Sequence, residues 1–436
     1  MSISGIKIIK RYFQSDFVKH VLILFSGSVI SQLIPLIILP ILTRKYTEAE
    51  FGAPFLYISI ISVISIIATL KYEIAIVLPR NEKSAVYLVV FSFVTSFVLA
   101  FILYMLIIFG KAFFIKLIDT DEVLGNWIYF IPISVFFMGI TQTGNFLLNR
   151  ISGFKTISSG KVIKSFSTSS AQTAAAFSSG FIKSIGLVLG VITGHILHGI
   201  FILYKILSLR IFKDFNFSIK RMRKIAWYYR EIPMFNTISG IINMISNNLP
   251  IFLFSSLYGI NAVGTYGMTM RFTLIPIGII ASAVGEVYYS RAGKLYNENR
   301  QEFVKFTYQT TFKVIKFSII PFLLAFIFVP QLFSIILGEE WIESGKFAQI
   351  ILPWLFLLLT NSHLTSLITI LKKQQQYLLF SFLFLLFRIG ALYLGSVYYN
   401  NIYFSVLFYS IIGFVFNVFL LMYFMKINKA LLKIKK

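Results

Sequence analysis

The sequence predicts an all-α integral membrane protein of about 12 transmembrane helices in two six-helix lobes, with both termini cytoplasmic. Three observations carry that reading. Apolar residues make up 57% of the chain and charged residues 13%, where soluble proteins average about 45–50% and about a quarter. Apolar runs of spanning length recur along the whole sequence, separated by short basic segments. The stretch "SGSVISQLIPLIILPILTRKYTEAEFG", Ser26 to Gly52, returns 212 residues later as "GIINMISNNLPIFLFSSLYGINAVG", with Tyr46 and Gly52 matched by Tyr258 and Gly264.

The runs fall at 21–42, 54–70, 84–109, 123–148, 166–182, 185–207, 233–258, 265–289, 313–337, 348–371, 378–399 and 402–425. The fifth, "SFSTSSAQTAAAFSSGF", is the least apolar, and its Ser, Ala and Thr suit a tightly packed or cavity-facing helix. A count of ten or eleven spans stays open for that reason. With both termini in the cytoplasm, Lys and Arg favour the inside segments by roughly five to one, whereas acidic residues divide almost evenly. An odd number of spans would scramble that asymmetry.

This gives an amphipathic N-terminal segment at 1–20, an N-lobe at 21–207, a basic linker at 208–232, a C-lobe at 233–425 and a basic tail at 426–436. The linker segment "SLRIFKDFNFSIKRMRKIAWYYRE" carries seven basic residues. In "GIKIIKRYFQSDF", Ile6, Ile9, Phe13 and Phe17 recur at helical spacing with Lys7, Lys10 and Arg11 elsewhere, the pattern of a helix lying on anionic lipid. Two repeats of six spans return the chain to the same side, so the repeat is parallel, an architecture used for alternating access. In each copy prolines, Pro35 and Pro40 or Pro250, interrupt the helix before the corner, and Gly52 or Gly264 permits close backbone approach after it.

Composition and motifs exclude several classes. The net charge of +24 is dispersed between spans, so it serves membrane topology and anionic lipid rather than nucleic acid. No cysteine is present, which excludes disulfides and thiolate metal sites. No nucleotide, cofactor or hydrolase motif occurs, and no His/Cys metal spacing. The acidic loops at Asp119, Asp121 and Glu122 and at Glu339, Glu340 and Glu343 would matter to a glycan polymerase or ligase only if they packed together.

Ionisable residues inside spans cost about 2.5–3.5 kcal/mol each on insertion scales and need a reason. Arg271 and Arg388 are such residues, and Glu286 is the only carboxylate within the spans of the second half. Cations without acids suit an anion, although pairing with backbone carbonyls or snorkelling stays open. A pyrophosphate would gain on the order of 4 kcal/mol per close pair at an effective dielectric of 20, before desolvation. Asn243 and Asn247 share one helix face and, with Gln32, either line a cavity or hold helices together. His195 and His363 either carry protons or bond neutrally to a neighbouring helix. Glu73 and Glu286 each close the second helix of a half and are gate or ion-coupling candidates.

Three segments carry a family resemblance: "SGSVISQLIPLIILPILTRKYTEAEFGAPFLYISI…ATLKYEIAIVLPRNEKSA", "NFLLNRISGFKTISSGKVIKSFSTSSAQ" and "REIPMFNTISGIINMISNNLPIFLFSSLYGINAVGTYGMTMRFTLIPIGIIASAVGEVYYSRAGK". In these the chain resembles Wzx-type O-antigen and polysaccharide flippases of the MOP superfamily, which also holds MATE drug exporters and lipid II flippases. The resemblance implies two lobes around a cationic cavity and a non-enzymatic flippase of the bacterial inner membrane. Its cargo would be an undecaprenyl-pyrophosphate-linked oligosaccharide, moved from the cytoplasmic to the periplasmic leaflet for O-antigen or capsule. A polysaccharide polymerase and a chain-length regulator are the implied partners, and lipid II, a teichoic-type precursor or a drug the alternative cargoes. One departure is that the first span carries Gln32 and serines where proton-coupled drug exporters commonly carry an aspartate.

Overall fold

The computed structural model describes residues 16–118, 127–213, 217–371 and 373–431. All regular structure among them is helical, and eleven helices are long and apolar enough to cross a membrane. The N-terminal amphipathic segment to residue 15, the acidic loop at Asp119, Asp121 and Glu122, and residues 432–436 of the tail lie outside the described residues.

The chain runs through α1 (Asp16–Thr43), α2 (Glu48–Ala68), α3 (Glu82–Ile118), α4 (Ile131–Arg150), α5 (Phe154–Ala176) and α6 (Gly180–Leu207). Two short linker helices follow, α7 (Arg210–Lys213) and α8 (Ile219–Tyr228). The remainder is α9 (Glu231–Tyr258), α10 (Ile260–Glu298), α11 (Arg300–Leu337), α12 (Ile342–Asn361), α13 (Ser366–Ile370), α14 (Gln374–Tyr399) and α15 (Ile402–Ala430). Single 3-10 turns, Tyr72–Val77, Trp127–Phe130 and Glu339–Trp341, precede α3, α4 and α12.

Local chemistry sets several of these boundaries. Thr47 and Glu50 form a reciprocal cap at the start of α2: the Thr47 amide donates to Glu50 Oε2 at 2.8 Å and the Glu50 amide to Thr47 Oγ1 at 3.4 Å. Asn299 accepts from the Gln301 and Glu302 amides, both at 3.1 Å, to open α11, and Asn401 does the same for Tyr403 at α15. Gly259, at φ +82, makes the break between α9 and α10.

The chain divides into two compact units, Met1–Tyr46 with Ala53–Asn248, and Thr47–Gly52 with Leu249–Lys436. In the first unit a core of Ala75, Ile76, Leu88, Leu147, Ile202 and neighbours ties α3, α4 and α6 together. Helix α5 has the length of a span but is not among the eleven apolar enough to cross on composition. Its polarity has a packing cause. It lies on a ridge of Gly186, Gly190 and Gly194 on α6, where an added Cβ would come within 1.9–2.3 Å of Ala175, Gln172 or Thr168. On its other side Ser158 Oγ donates to Ile23 O at 2.9 Å, Ser165 Oγ donates to Ser31 O, and Lys161 Nζ donates to Ser28 Oγ at 2.9 Å, all on α1. The linker helix α8 exposes Ile219, Trp227 and Tyr228 and buries only Ala226, whose carbonyl accepts from the Tyr72 phenol at 3.1 Å. Partial burial raises the Tyr72 phenol above its usual pKa.

In the second unit, one core of Tyr288, Phe303, Leu364, Leu367 and Phe424 joins α10, α11 and α15 to the segment after α12. Equivalent contacts recur at the repeat offset. Tyr57 on α2 bonds Phe130 O at 2.9 Å and Ser134 Oγ at 2.6 Å, and Thr269, its counterpart on α10, donates to Ser344 O at 2.8 Å. Trp127 and Trp341, both buried, occupy the turns that lead into α4 and α12.

Candidate functional site

The corner that the sequence repeats is built around two glycines. A Cβ on Gly52 would lie 2.3 Å from the carbonyl oxygen of Ile260, and one on Gly264 would lie 1.8 Å from that of Glu48. Residues 48 and 260, like 52 and 264, are related by the repeat, so each corner makes the same contact with the other. Only glycine allows backbones this close. Thr265 Oγ1 donates to Glu48 Oε2 at 3.0 Å, Ser344 Oγ donates to Thr265 O at 3.0 Å, and the Phe51 ring meets Trp341 edge-on at 5.2 Å. The sequence expectation of close backbone approach after each corner thus has a specific partner, which is the other corner.

The intramembrane cations stand in different surroundings. Arg388 on α14 is 4% exposed, with its guanidinium carbon 3.8 Å from the Phe384 ring centroid, 4.6 Å from Tyr409 and 5.0 Å from Trp354. Each such face offsets part of the charge's desolvation, by about 0.5–2 kcal/mol. Its Nε has no hydrogen-bond partner among the described residues. Arg271 on α10 is half-buried and, among the described residues, forms no hydrogen bond or ion pair. The structure does not join Arg271 and Arg388 in any contact among the described residues.

The polar candidates also separate. Gln32 bonds Ser28 O of its own helix at 3.1 Å. Asn243 and Asn247 are exposed on α9, while Asn248 beside them donates to Met244 O at 2.9 Å. His363 is fully buried, with Nε2 2.9 Å from Thr311 Oγ1 and its ring edge-on to Tyr288 at 4.9 Å, an arrangement that suits a neutral interhelical histidine. His195 is buried on α6, one turn from His198. Glu73 does not close α2 but lies beyond it, in the 3-10 turn Tyr72–Val77, where it is 1% exposed, accepts from Thr69 Oγ1 and lies 3.5 Å from Lys71 Nζ. The side chain of Glu286 lies outside the described residues. Pro35 and Pro40 sit inside α1 and Pro250 inside α9. Glu343 pairs with Lys346 at 2.6 Å on the exposed start of α12.

Sequence reading passed over two groups. The lysines of α5, Lys155, Lys161 and Lys164, fall in "FKTISSGKVIK", just before the least apolar run, and that run's polarity was the available signal. Glu48 was hidden because its bonding partner, Thr265, lies far along the chain.

A family model described as "Polysaccharide biosynthesis protein" matches residues 41–346. No curated protein sequence matches. Among solved structures, the fold is similar to an inward-facing multidrug resistance MATE family transporter of the MOP superfamily, with a TM-score of 0.74, 15% identity and coverage of 95% of this chain and 96% of that one. It is similar to the lipid II flippase MurJ in an inward closed conformation, with a TM-score of 0.73, 15% identity and coverage of 95% and 91%. A MOP superfamily transporter from Pyrococcus furiosus, described as having a binding pocket of reversed polarity, gives 0.60, 14%, 96% and 97%. At such identities the likeness establishes the fold, and that fold is the one expected from the sequence.

Proposed function

From the premise that this chain belongs to the polysaccharide biosynthesis protein family, we propose that it is a flippase for undecaprenyl-pyrophosphate-linked oligosaccharide. On this reading it works by alternating access in the bacterial inner membrane, carrying an O-antigen or capsule repeat unit from the cytoplasmic to the periplasmic leaflet. The observation that carries the anionic cargo is Arg271, a half-buried cation within a span and without an acidic partner among the described residues. A charge left in that position is costly unless an anion visits it. A guanidinium matches phosphate oxygens with two parallel donors. Arg388 is already enclosed by three aromatic rings, so Arg271 is the better placed of the two to meet cargo, and Arg388 holds α14 against α12 and α15. Exposed Asn243 and Asn247 are available to sugar hydroxyls.

The likeness to a lipid II flippase supports a second reading with the same chemistry, a different pyrophosphate-linked saccharide. Polymerase and chain-length partners belong to the first reading only.

The test is complementation of strains that each lack one flippase of known cargo, with surface glycan and membrane-inserted protein measured together. Wild type is expected to restore the O-antigen or capsule strain. Arg271→Ala should insert normally and lose surface polysaccharide, with Arg271→Lys partly active. Full polysaccharide from Arg271→Ala would remove the arginine from the cargo path.

A further inference from the structure

The first unit contains an open cavity of about 800 Å³ between α1, the corner after α4, and the first turns of α5. That volume falls within the range of small-molecule sites. Its polar wall is Ser26, Ser152, Lys155, Ser158 and Ser159, and aliphatic side chains of α1 and α5 complete it. Among the described residues no carboxylate lines it, and α5 carries no acidic residue along its length. One turn deeper, Lys161 is held to Ser28 at 2.9 Å. Among the described residues the lining thus carries one cation and no anion, and an apolar wall lies directly beside it.

Donor accounting divides the lining hydroxyls. Ser26 and Ser158 both donate to Ile23 O, at 3.1 and 2.9 Å, so their protons are committed. Lys155 Nζ, Ser152 Oγ and Ser159 Oγ have no side-chain hydrogen bond among the described residues. Lys155 and Ser152 are exposed and Ser159 is partly buried, so these three donors line one space open to solvent and have no protein acceptor among the described residues.

Ser152 adds an independent observation. It sits at φ +58, in the left-handed region, while the next residue, Gly153, has φ −74. A helix usually places its glycine where Ser152 stands, because a side chain there is strained. The glycine is instead one residue later, and the strained position is occupied by a hydroxyl that lines the cavity. Strain retained at a cavity wall points to a use for the side chain.

We propose that this cavity docks the phosphate head of an anionic lipid, held by Lys155, Ser152 and Ser159, with the lipid's chain along the aliphatic wall. Resting on the flippase reading above, the lipid is the pyrophosphate-linked polyprenyl carrier. A pyrophosphate offers acceptors for all three free donors, and a positive site without carboxylates favours it over a neutral isoprenol. The cation distribution predicted from sequence puts this end of α1 and α5 on the cytoplasmic side, where such a cargo would be loaded.

The experiment uses the purified full chain in detergent and measures binding of geranylgeranyl pyrophosphate, geranylgeraniol and inorganic pyrophosphate. Phosphatidylglycerol in nanodiscs is the fourth probe. The variants are Lys155→Ala, Ser159→Ala and Ser152→Gly. Ser152→Gly is the informative one, because it relieves the backbone while removing the hydroxyl. The expected result is a loss of affinity for geranylgeranyl pyrophosphate of about tenfold in Lys155→Ala and several-fold in Ser152→Gly. Ser152→Gly should melt at or above the wild-type temperature, and geranylgeraniol binding should be equal and weak throughout. Unchanged affinity in both Lys155→Ala and Ser152→Gly overturns the site. Lys155-dependent binding of phosphatidylglycerol, with none of geranylgeranyl pyrophosphate, upholds a lipid-phosphate site and overturns the polyprenyl assignment. The same variants are then tested in the complementation strain. If wild type itself fails to restore polysaccharide, the flippase reading falls and the binding data still judge the cavity. If wild type and Lys155→Ala both restore it, with equal affinities, the cavity alone is lost.

Discussion

Replacing Gly264 with alanine tests the twin corner. The new Cβ would stand 1.8 Å from the Glu48 carbonyl oxygen and 2.6 Å from its carbon. Even the close carbon–oxygen contacts of packed backbones are about 3.3–3.6 Å, so the corners must part by roughly 1.5 Å. The opposing atoms are main chain and cannot rotate away. Overpacking of this kind costs about 1–3 kcal/mol. The same separation stretches the 3.0 Å bond from Thr265 to the Glu48 carboxylate, a charged hydrogen bond that contributes about 1.5–3 kcal/mol. The expected loss is about 3–5 kcal/mol, a large share of an ordinary folding stability of about 5–15 kcal/mol. Gly52→Ala presses on the same pair from the other side, 2.3 Å from Ile260 O, so the two substitutions should be strongly sub-additive. Once the corners are apart, the second Cβ costs little. Gly285→Ala, where a Cβ meets nothing within 4 Å, is the control and should be neutral or stabilising by up to about 1 kcal/mol. Thermal unfolding in detergent of the four variants, including the double, is the assay. A Gly264→Ala protein that melts with wild type, or a double mutant whose losses simply add, would refute the reciprocal contact.

Further outcomes follow from other contacts. Arg388→Ala removes a cation from three aromatic faces and should lower the melting temperature and the inserted yield, by about 1–4 kcal/mol in stability. Unaltered stability with lost transport would instead place Arg388 in the cargo path. Gly190→Leu drives a side chain into Gln172 and the Thr168 carbonyl, 2.3 and 2.8 Å from the new Cβ. It should separate α5 from α6 and reduce folded protein in size-exclusion profiles, and normal profiles would discount the glycine ridge. His363→Leu removes the 2.9 Å bond to Thr311 Oγ1, which keeps its bond to Thr307 O, and should cost about 0.5–1.5 kcal/mol at neutral pH. Loss of transport without loss of stability would argue for proton carriage instead. Alanine at Asp119, Asp121, Glu122, Glu339, Glu340 and Glu343 should leave surface glycan unchanged, and its loss with normal insertion would revive a polymerase or ligase.

Much of the architecture was legible because lipid imposes it residue by residue. A span must be apolar over a fixed length whatever surrounds it, and the sequence therefore determined the helical class and most of the spans. The match of Tyr46 and Gly52 with Tyr258 and Gly264 located the two corners. Helix α5 was the weakest of the expected spans because its environment is protein, with glycine on α6 and hydrogen bonds to α1, so hydropathy measured the wrong solvent. What the corners touch, what surrounds a buried charge and which hydroxyls are left unspent depend on residues far apart in the chain. Glu48 meets Gly264, Phe384 and Tyr409 enclose Arg388, and Ser152 shares a cavity with Ser26. The sequence alone set which segments enter the membrane, because burial in lipid is a local transfer free energy. The tertiary structure alone decided which polar groups find a partner within the protein and which do not, because a hydrogen bond or an ion–aromatic contact exists only once both partners are placed.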